Sequence, residues 1–163
     1  WRIKTDQIGI MGFSAGGHLA STAGTHFDAG AAKSQDSVAR QSCRPDFVVL
    51  VYPVISMGEI GHAGSRRNLL GADPSPELVA EYSNELQVTK ETPPTFLAHA
   101  VDDKPVPIAN SKVFHEALKR VGVKTKFLEL PSGGHGLNGY KGPMWDAWQT
   151  ESLKWIGEVA ISH

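Results

Sequence analysis

Gly12-Phe13-Ser14-Ala15-Gly16 sets a serine between two glycines, behind the apolar run Ile8-Gly9-Ile10-Met11 and ahead of Gly17-His18-Leu19-Ala20. Strand, sharp turn and helix in that order make a nucleophile elbow, which holds a hydroxyl out where a base can reach it. A serine hydroxyl attacks a carbonyl poorly until a base takes its proton. The turn is so tight that side chains on Gly12 and Gly16 are expected to collide with neighbouring backbone. A glycine-rich strand-to-helix turn can instead bind an anion at the helix N-terminus. The apolar strand before it and the small-residue helix after it favour Ser14 as a nucleophile. The N–H of Ala15, the residue after it, is then the candidate oxyanion donor.

Such a serine needs a base, usually histidine, and a carboxylate that fixes the tautomer of that base. Of the seven histidines, His135 sits in a glycine-flanked loop, Ser132-Gly133-Gly134-His135-Gly136, directly after an alternating apolar and polar run. There a side chain can swing over the elbow. His18, His26 and His115 read as packed or surface residues on or near helices. His99 closes a strand and is expected to support the site by hydrogen bonding; His62 is a loop residue without a role. Two neighbouring carboxylates, Asp102 and Asp103, follow the apolar run 95–100, and the residues alone leave the choice between them open.

Positioning these groups requires a sheet. Strands are predicted at Ile8–Phe13, Phe47–Tyr52, Thr95–Ala100 and Val123–Leu130, the second being continuously apolar, as a strand buried on both faces is. Helices are predicted at Ala15 to about His26, Glu77–Tyr82, Pro107 to about Val121 and Pro143 to about Ile161, the last with Trp148, Trp155, Ile156 and Val159 on one face. Residues 1–7 are a polar lead-in, Asp28 to Arg44 a surface excursion, and 55–68 loops with short helices. The alternation implies right-handed crossovers and an α/β domain spanning 1–163, with about four parallel strands and helices on both faces. Ligands bind at the carboxyl ends of such strands. Ser14, the Asp102-Asp103 pair and His135 all lie there.

Composition narrows the partners. The chain has 163 residues and a formal net charge of -1, without the basic patch that nucleic acid or an anionic membrane would need, so a small neutral substrate is expected. One cysteine, Cys43, cannot form an internal disulfide. No run is long enough to span a membrane, and no signal peptide is visible, but the first residue is Trp1, so the compartment stays open. The histidines lack paired ligand spacing, so no metal is expected. A dinucleotide fingerprint fails because Ser14 falls inside the glycine motif and no suitable acidic residue ends the next strand, so no cofactor is expected. Three tryptophans, Trp145, Trp148 and Trp155, could suggest a sugar platform, but helical spacing assigns at least two of them to the core.

With Gly12–Gly16, His99–Pro107 and Gly133–Gly136 in place, the chain resembles the α/β-hydrolases. His99-Ala100-Val101-Asp102-Asp103-Lys104-Pro105-Val106-Pro107 is similar to their segment His-Gly-x-x-Asp-x-x-Val-Pro, with Ala100 in place of Gly. That alignment implies Asp103 as the acid and leaves Asp102 as a turn residue binding local backbone amides. Gly-Phe-Ser-Ala-Gly-Gly-His-Leu-Ala at 12–20, Tyr-Pro-Val-Ile-Ser at 52–56 and Gly-Ser-Arg-Arg-Asn-Leu-Leu-Gly at 64–71 are similar to the bacterial carbohydrate esterases, acetylxylan and feruloyl esterases among them. The resemblance implies a serine carboxylesterase for small acyl esters, with Ser14, His135 and Asp103 as nucleophile, base and acid. It also implies the C-terminal portion of the hydrolase fold, because the superfamily carries further strands and a His-Gly-Gly oxyanion loop before the elbow. With one oxyanion donor in place of two, weak activity is expected. The edge of Ile8–Phe13 is expected to be covered by a second copy, as a homodimer, or by an N-terminal segment. The alternatives are a serine peptidase of the prolyl-oligopeptidase type and a noncatalytic hydrolase fragment that binds or self-assembles.

Overall fold

The computed structural model describes residues 4–160. Four strands, β1 (Gly9–Phe13), β2 (Phe47–Val51), β3 (Thr95–Ala100) and β4 (Thr125–Leu130), form one parallel sheet in the order β1-β2-β3-β4. The helices are α1 (Ser14–Thr25), α2 (Ala63–Leu70), α3 (Pro76–Glu81), α4 (Ala109–Arg120) and α6 (Pro143–Ala160), with a 3-10 turn at Asn84–Leu86 and, as α5 (Leu137–Tyr140), one short turn whose residues all have positive φ. The expected end of the last helix, Ile161, and the first residues of the lead-in, 1–3, lie outside the described residues.

Alternating strand residues fill two cores. On one face Val49, Val51, Phe96 and Ala98 pack against Trp148, Trp155 and Val159 of α6. On the other Val48, Leu50 and Leu97 meet Ala20 of α1 and Phe114 and Leu118 of α4. Both faces of β2 and β3 are therefore covered, which is why their sequences are apolar without interruption. Trp148 and Trp155 are buried, and Trp145 packs between Phe13, Trp148 and Tyr140. These tryptophans build the α6 side of the core.

Three strand boundaries shift for local reasons. Ile8 donates its N–H to the Asp46 carboxylate at 2.8 Å, so a side chain takes the place of a ladder partner. Tyr52 turns to φ 40, which ends β2 at Val51. Val123 closes α4 instead of opening β4. Its N–H reaches Leu118 O at 3.0 Å, the Gly122 N–H reaches Lys119 O at 3.1 Å, and Gly122 has φ 78: a Schellman cap.

α2 starts where His62 accepts the Ser65 N–H, giving the histidine without a role the task of a cap. Ser75 caps α3 in the same way, with Pro76 in its first turn. Among the described residues β1 has a strand neighbour on one side, and Ile8 just before it and Met11 within it are about half exposed, at 52% and 45%. No helix of the described residues is long and apolar enough to cross a membrane.

Candidate active site

The elbow is held by close packing. Ser14 sits at φ 52, left-handed backbone that costs a non-glycine residue energy and must be imposed by its surroundings. A β-carbon on Gly12 would fall on the carbonyl oxygen of Gly16, so the expectation of a collision holds there. It does not hold at Gly16, which has open space around it. The second close approach is at Gly17, where a β-carbon would run into Pro53. α1 turns Gly17, Ala20, Ser21 and Gly24 inward and leaves Gly16 outside. Ser14 O also accepts the Val54 N–H at 2.9 Å, which ties the elbow to the chain leaving β2.

Ser14, His135 and Asp103 come together at the carboxyl ends of β1, β4 and β3. Ser14 Oγ lies 2.8 Å from His135 Nε2, and His135 Nδ1 lies 2.7 Å from Asp103 Oδ2. The tautomer that satisfies both contacts carries its proton on Nδ1, donates it to the carboxylate, and accepts the serine hydroxyl at Nε2. The Tyr52 ring and the imidazole meet edge to face, with their centroids 4.9 Å apart. Burial, with Tyr140 and Asp103 nearby, pushes the Tyr52 phenol up to about 12, so it stays neutral as a wall of the site.

Asp103 has no exposed side-chain surface. Its Oδ1 accepts the Val106 N–H at 3.0 Å, and its Oδ2 lies 3.2 Å from His99 Nε2. Burial pushes this carboxyl up, but His99, the Val106 N–H and His135 together outweigh it and hold the group below the usual carboxylate range. His99 is fully buried. Its Nε2 also faces Val106 O at 2.9 Å, and its Nδ1 lies 2.8 Å from Ser111 Oγ. With a proton on Nε2, Nδ1 accepts the serine hydroxyl and every polar atom of the ring has a partner.

Asp102 departs from its expected role. Its carboxylate accepts backbone N–H groups that are far away in sequence, from Gly134 at 2.8 Å and Gly133 at 3.3 Å, in the loop that carries His135. Ala15 is exposed in the first turn of α1, where helical N–H groups lack intrahelical acceptors. Beside it opens a groove of about 340 Å³ lined by Ala15, His18, Leu19, Met57, Leu69 and Tyr82.

The remaining histidines pair with backbone or hydroxyl groups that hold elements together. His18 Nε2 lies 2.8 Å from Tyr82 O, His26 Nε2 3.1 Å from Glu81 O, and His115 Nδ1 3.1 Å from Thr125 Oγ1. Burial lowers the His18 pKa more than the Tyr82 carbonyl raises it. Among the described residues no group of three or more His, Cys, Asp or Glu is placed to hold a metal. Asn110 was not singled out from the sequence. Its Oδ1 accepts the N–H groups of Ile55 and Ser56, and its Nδ2 donates to Ile60 O and Pro107 O, fixing the chain above β2. No neighbour in sequence signals that role.

Residues 1–118 match the BD-FAE family. The chain is 38% identical over 148 residues to endo-1,4-beta-xylanase B of Butyrivibrio fibrisolvens, a match covering 91% of this chain and 23% of that protein. It is 36% identical over 141 residues to an acetylxylan esterase of Xylanibacter ruminicola, covering 83% of this chain and 27% of that one. It therefore spans about a quarter of the length of these relatives. An acetyl ester-xyloside bifunctional hydrolase from Caldicellulosiruptor lactoaceticus superposes with a TM-score of 0.92 and 47% identity, over 96% of this chain and 58% of that one. The parallel four-stranded sheet, the elbow between β1 and α1 and these likenesses make the architecture part of an α/β-hydrolase fold, and the chain belongs to the BD-FAE family.

Proposed function

We propose that the chain carries the catalytic machinery of a serine carboxylesterase that hydrolyses small acyl esters, acetyl esters of xylan-type polysaccharide in particular. The observation that carries this reading is the unbroken chain of short hydrogen bonds from Ser14 Oγ through the His135 imidazole to Asp103. The names of the similar proteins, acetylxylan esterase and acetyl ester-xyloside hydrolase, support the substrate class.

In this reading Ser14 Oγ attacks the ester carbonyl carbon as its proton passes to His135 Nε2. The oxyanion of the tetrahedral intermediate takes a hydrogen bond from the Ala15 N–H. Collapse breaks the bond to the alcohol oxygen, which leaves with the proton from His135, and the acyl group stays on Ser14. Water then gives a proton to His135, attacks the acyl carbon and releases the acid, and the proton returns to Ser14. Asp103, buried and ionised, fixes the His135 tautomer and stabilises the imidazolium in both steps. The same reading has the exposed edge of β1 covered, by a second copy of this chain as a homodimer or by an N-terminal segment.

Release of acetate from an aryl acetate and from acetylated xylo-oligosaccharides, compared between the wild type and Ser14→Ala, tests the proposal. Turnover by the wild type that disappears in Ser14→Ala is the expected result. Equal turnover by the two, or none by the wild type, overturns it.

A further inference from the structure

We propose that Asp102 is a positioning residue for His135, and that the two adjacent acids divide one task between them. Asp103 orients the imidazole, while Asp102 clamps the backbone that delivers it. The catalytic consequence rests on the esterase reading, but the clamp itself does not.

The loop from Gly133 to Asn138 is costly to order. Gly133, Gly134 and Gly136 have φ values of 126, 55 and 86, and Leu137 and Asn138 follow at 50 and 63. Glycine loses more backbone freedom on folding than any other residue, so a run of this kind holds one shape only where it is tethered. The loop makes bonds of its own, Asn138 N–H to Gly133 O at 2.8 Å and Leu137 N–H to Gly134 O at 3.3 Å, and these shape it without fixing it to the sheet. Buried Leu137 anchors the far side of His135. On the near side, Asp102 accepts Gly134 N–H at Oδ1 and Gly133 N–H at Oδ2. The two residues immediately before the base are thus bound to one carboxylate.

The origin of that carboxylate matters. Asp102 and Asp103 leave β3 on one short turn, pinned by Val101 N–H to Leu130 O at 2.9 Å and Asp103 N–H to Ala100 O at 3.3 Å. Their side chains diverge, Asp103 into the buried site and Asp102 to the exposed rim. Backbone and side chain of His135 therefore take their position from the same turn. A carboxylate suits this better than an amide. Two acceptor oxygens serve two successive N–H groups, whereas an asparagine has one acceptor oxygen.

Loss of the clamp lets His135 drift while substrate binding is untouched. A misplacement near 1 Å costs about a hundredfold in rate. In Asp102→Ala, kcat on an aryl acetate is expected to fall about 10- to 100-fold with KM nearly unchanged, and Asp102→Asn to recover part of it. A second readout needs no turnover. The His135 Nδ1 proton, held against Asp103, gives a far-downfield NMR resonance, which is expected in the wild type and expected to broaden away in Asp102→Ala, with faster amide exchange at Gly133 and Gly134.

Unchanged kcat, resonance and exchange in Asp102→Ala would overturn the clamp. Should Asp102→Ala fail to fold, Asp102→Asn carries the same readouts, and wild-type values for all of them there overturn it. A wild type without esterase turnover whose resonance still depends on Asp102 sinks the esterase reading and leaves the clamp standing.

Discussion

His99 Nε2 lies 3.2 Å from Asp103 Oδ2, the same oxygen that faces His135 Nδ1 at 2.7 Å. One carboxylate oxygen is thus shared between a fully buried histidine and a partly exposed one. The buried partner holds the acid, and the exposed one turns its other nitrogen to Ser14 Oγ at 2.8 Å.

Acid sensitivity follows from that arrangement. The Asp103 carboxyl is held below its unfolded value of about 3.9, so its contribution to stability is complete above that value and is lost as pH falls through the native one. His99→Ala removes one of the donors, raises the native value, and starts the acid loss at higher pH. It also strands the Ser111 hydroxyl and leaves a cavity, at a cost of about 2 to 4 kcal/mol. Urea denaturation of both proteins from neutral to acid pH measures both effects. Parallel stability curves would mean that His99 does not act on Asp103.

Asp103→Asn keeps the shape of the site and changes its tautomer. The amide can present an N–H to His135 Nδ1, which then keeps its proton on Nε2 and cannot accept from Ser14. The predicted loss in kcat for ester hydrolysis is about 10³- to 10⁴-fold. KM should hardly move. A loss no larger than that of Asp102→Asn would mean that the acids have been assigned the wrong way round.

The two elbow glycines should answer differently to the same substitution. Gly12→Ala puts a β-carbon on the Gly16 carbonyl, and with backbone as the obstacle the turn must open. The expected cost is about 1 to 3 kcal/mol, together with loss of Ser14 reactivity. Gly16→Ala meets open space inside a helix, where alanine is the better residue, and should leave the thermal midpoint unchanged or slightly raised. Thermal melts of the pair, with phosphonate labelling of Ser14, separate the outcomes. Equal destabilisation would show that Gly16 is packed more tightly than its surroundings indicate.

Much of this was written locally in the sequence. The elbow combines a strand, a positive-φ turn and a small-residue helix within neighbouring residues, and β3 at Thr95–Ala100 falls where its apolar run lies. His135 was legible because glycines flank it immediately after a strand. Other features depend on partners far along the chain. Asp102 reads as an ordinary turn acid until Gly133 and Gly134, 31 and 32 residues on, are folded over it. Asn110 is a helix residue until Ile55 and Ser56, 55 and 54 residues earlier, bring it their N–H groups. Val123 differs in kind: it fits an alternating strand equally well, and the local Schellman cap of α4, through its N–H to Leu118 O, takes it instead. For Asp102 and Asn110 the difference is range, because spacing reports what a residue does to its neighbours in sequence.

The most direct test is to quench the chain during turnover of an aryl acetate and map the acetyl group by peptide mass spectrometry. Ser14 should carry it in the wild type, more heavily when deacylation is slowed, and no residue should carry it in His135→Ala, where the hydroxyl has lost its base. Acetate release with Ser14 never acetylated, or equal acetylation of Ser14 in His135→Ala, would contradict a serine esterase built on Ser14, His135 and Asp103.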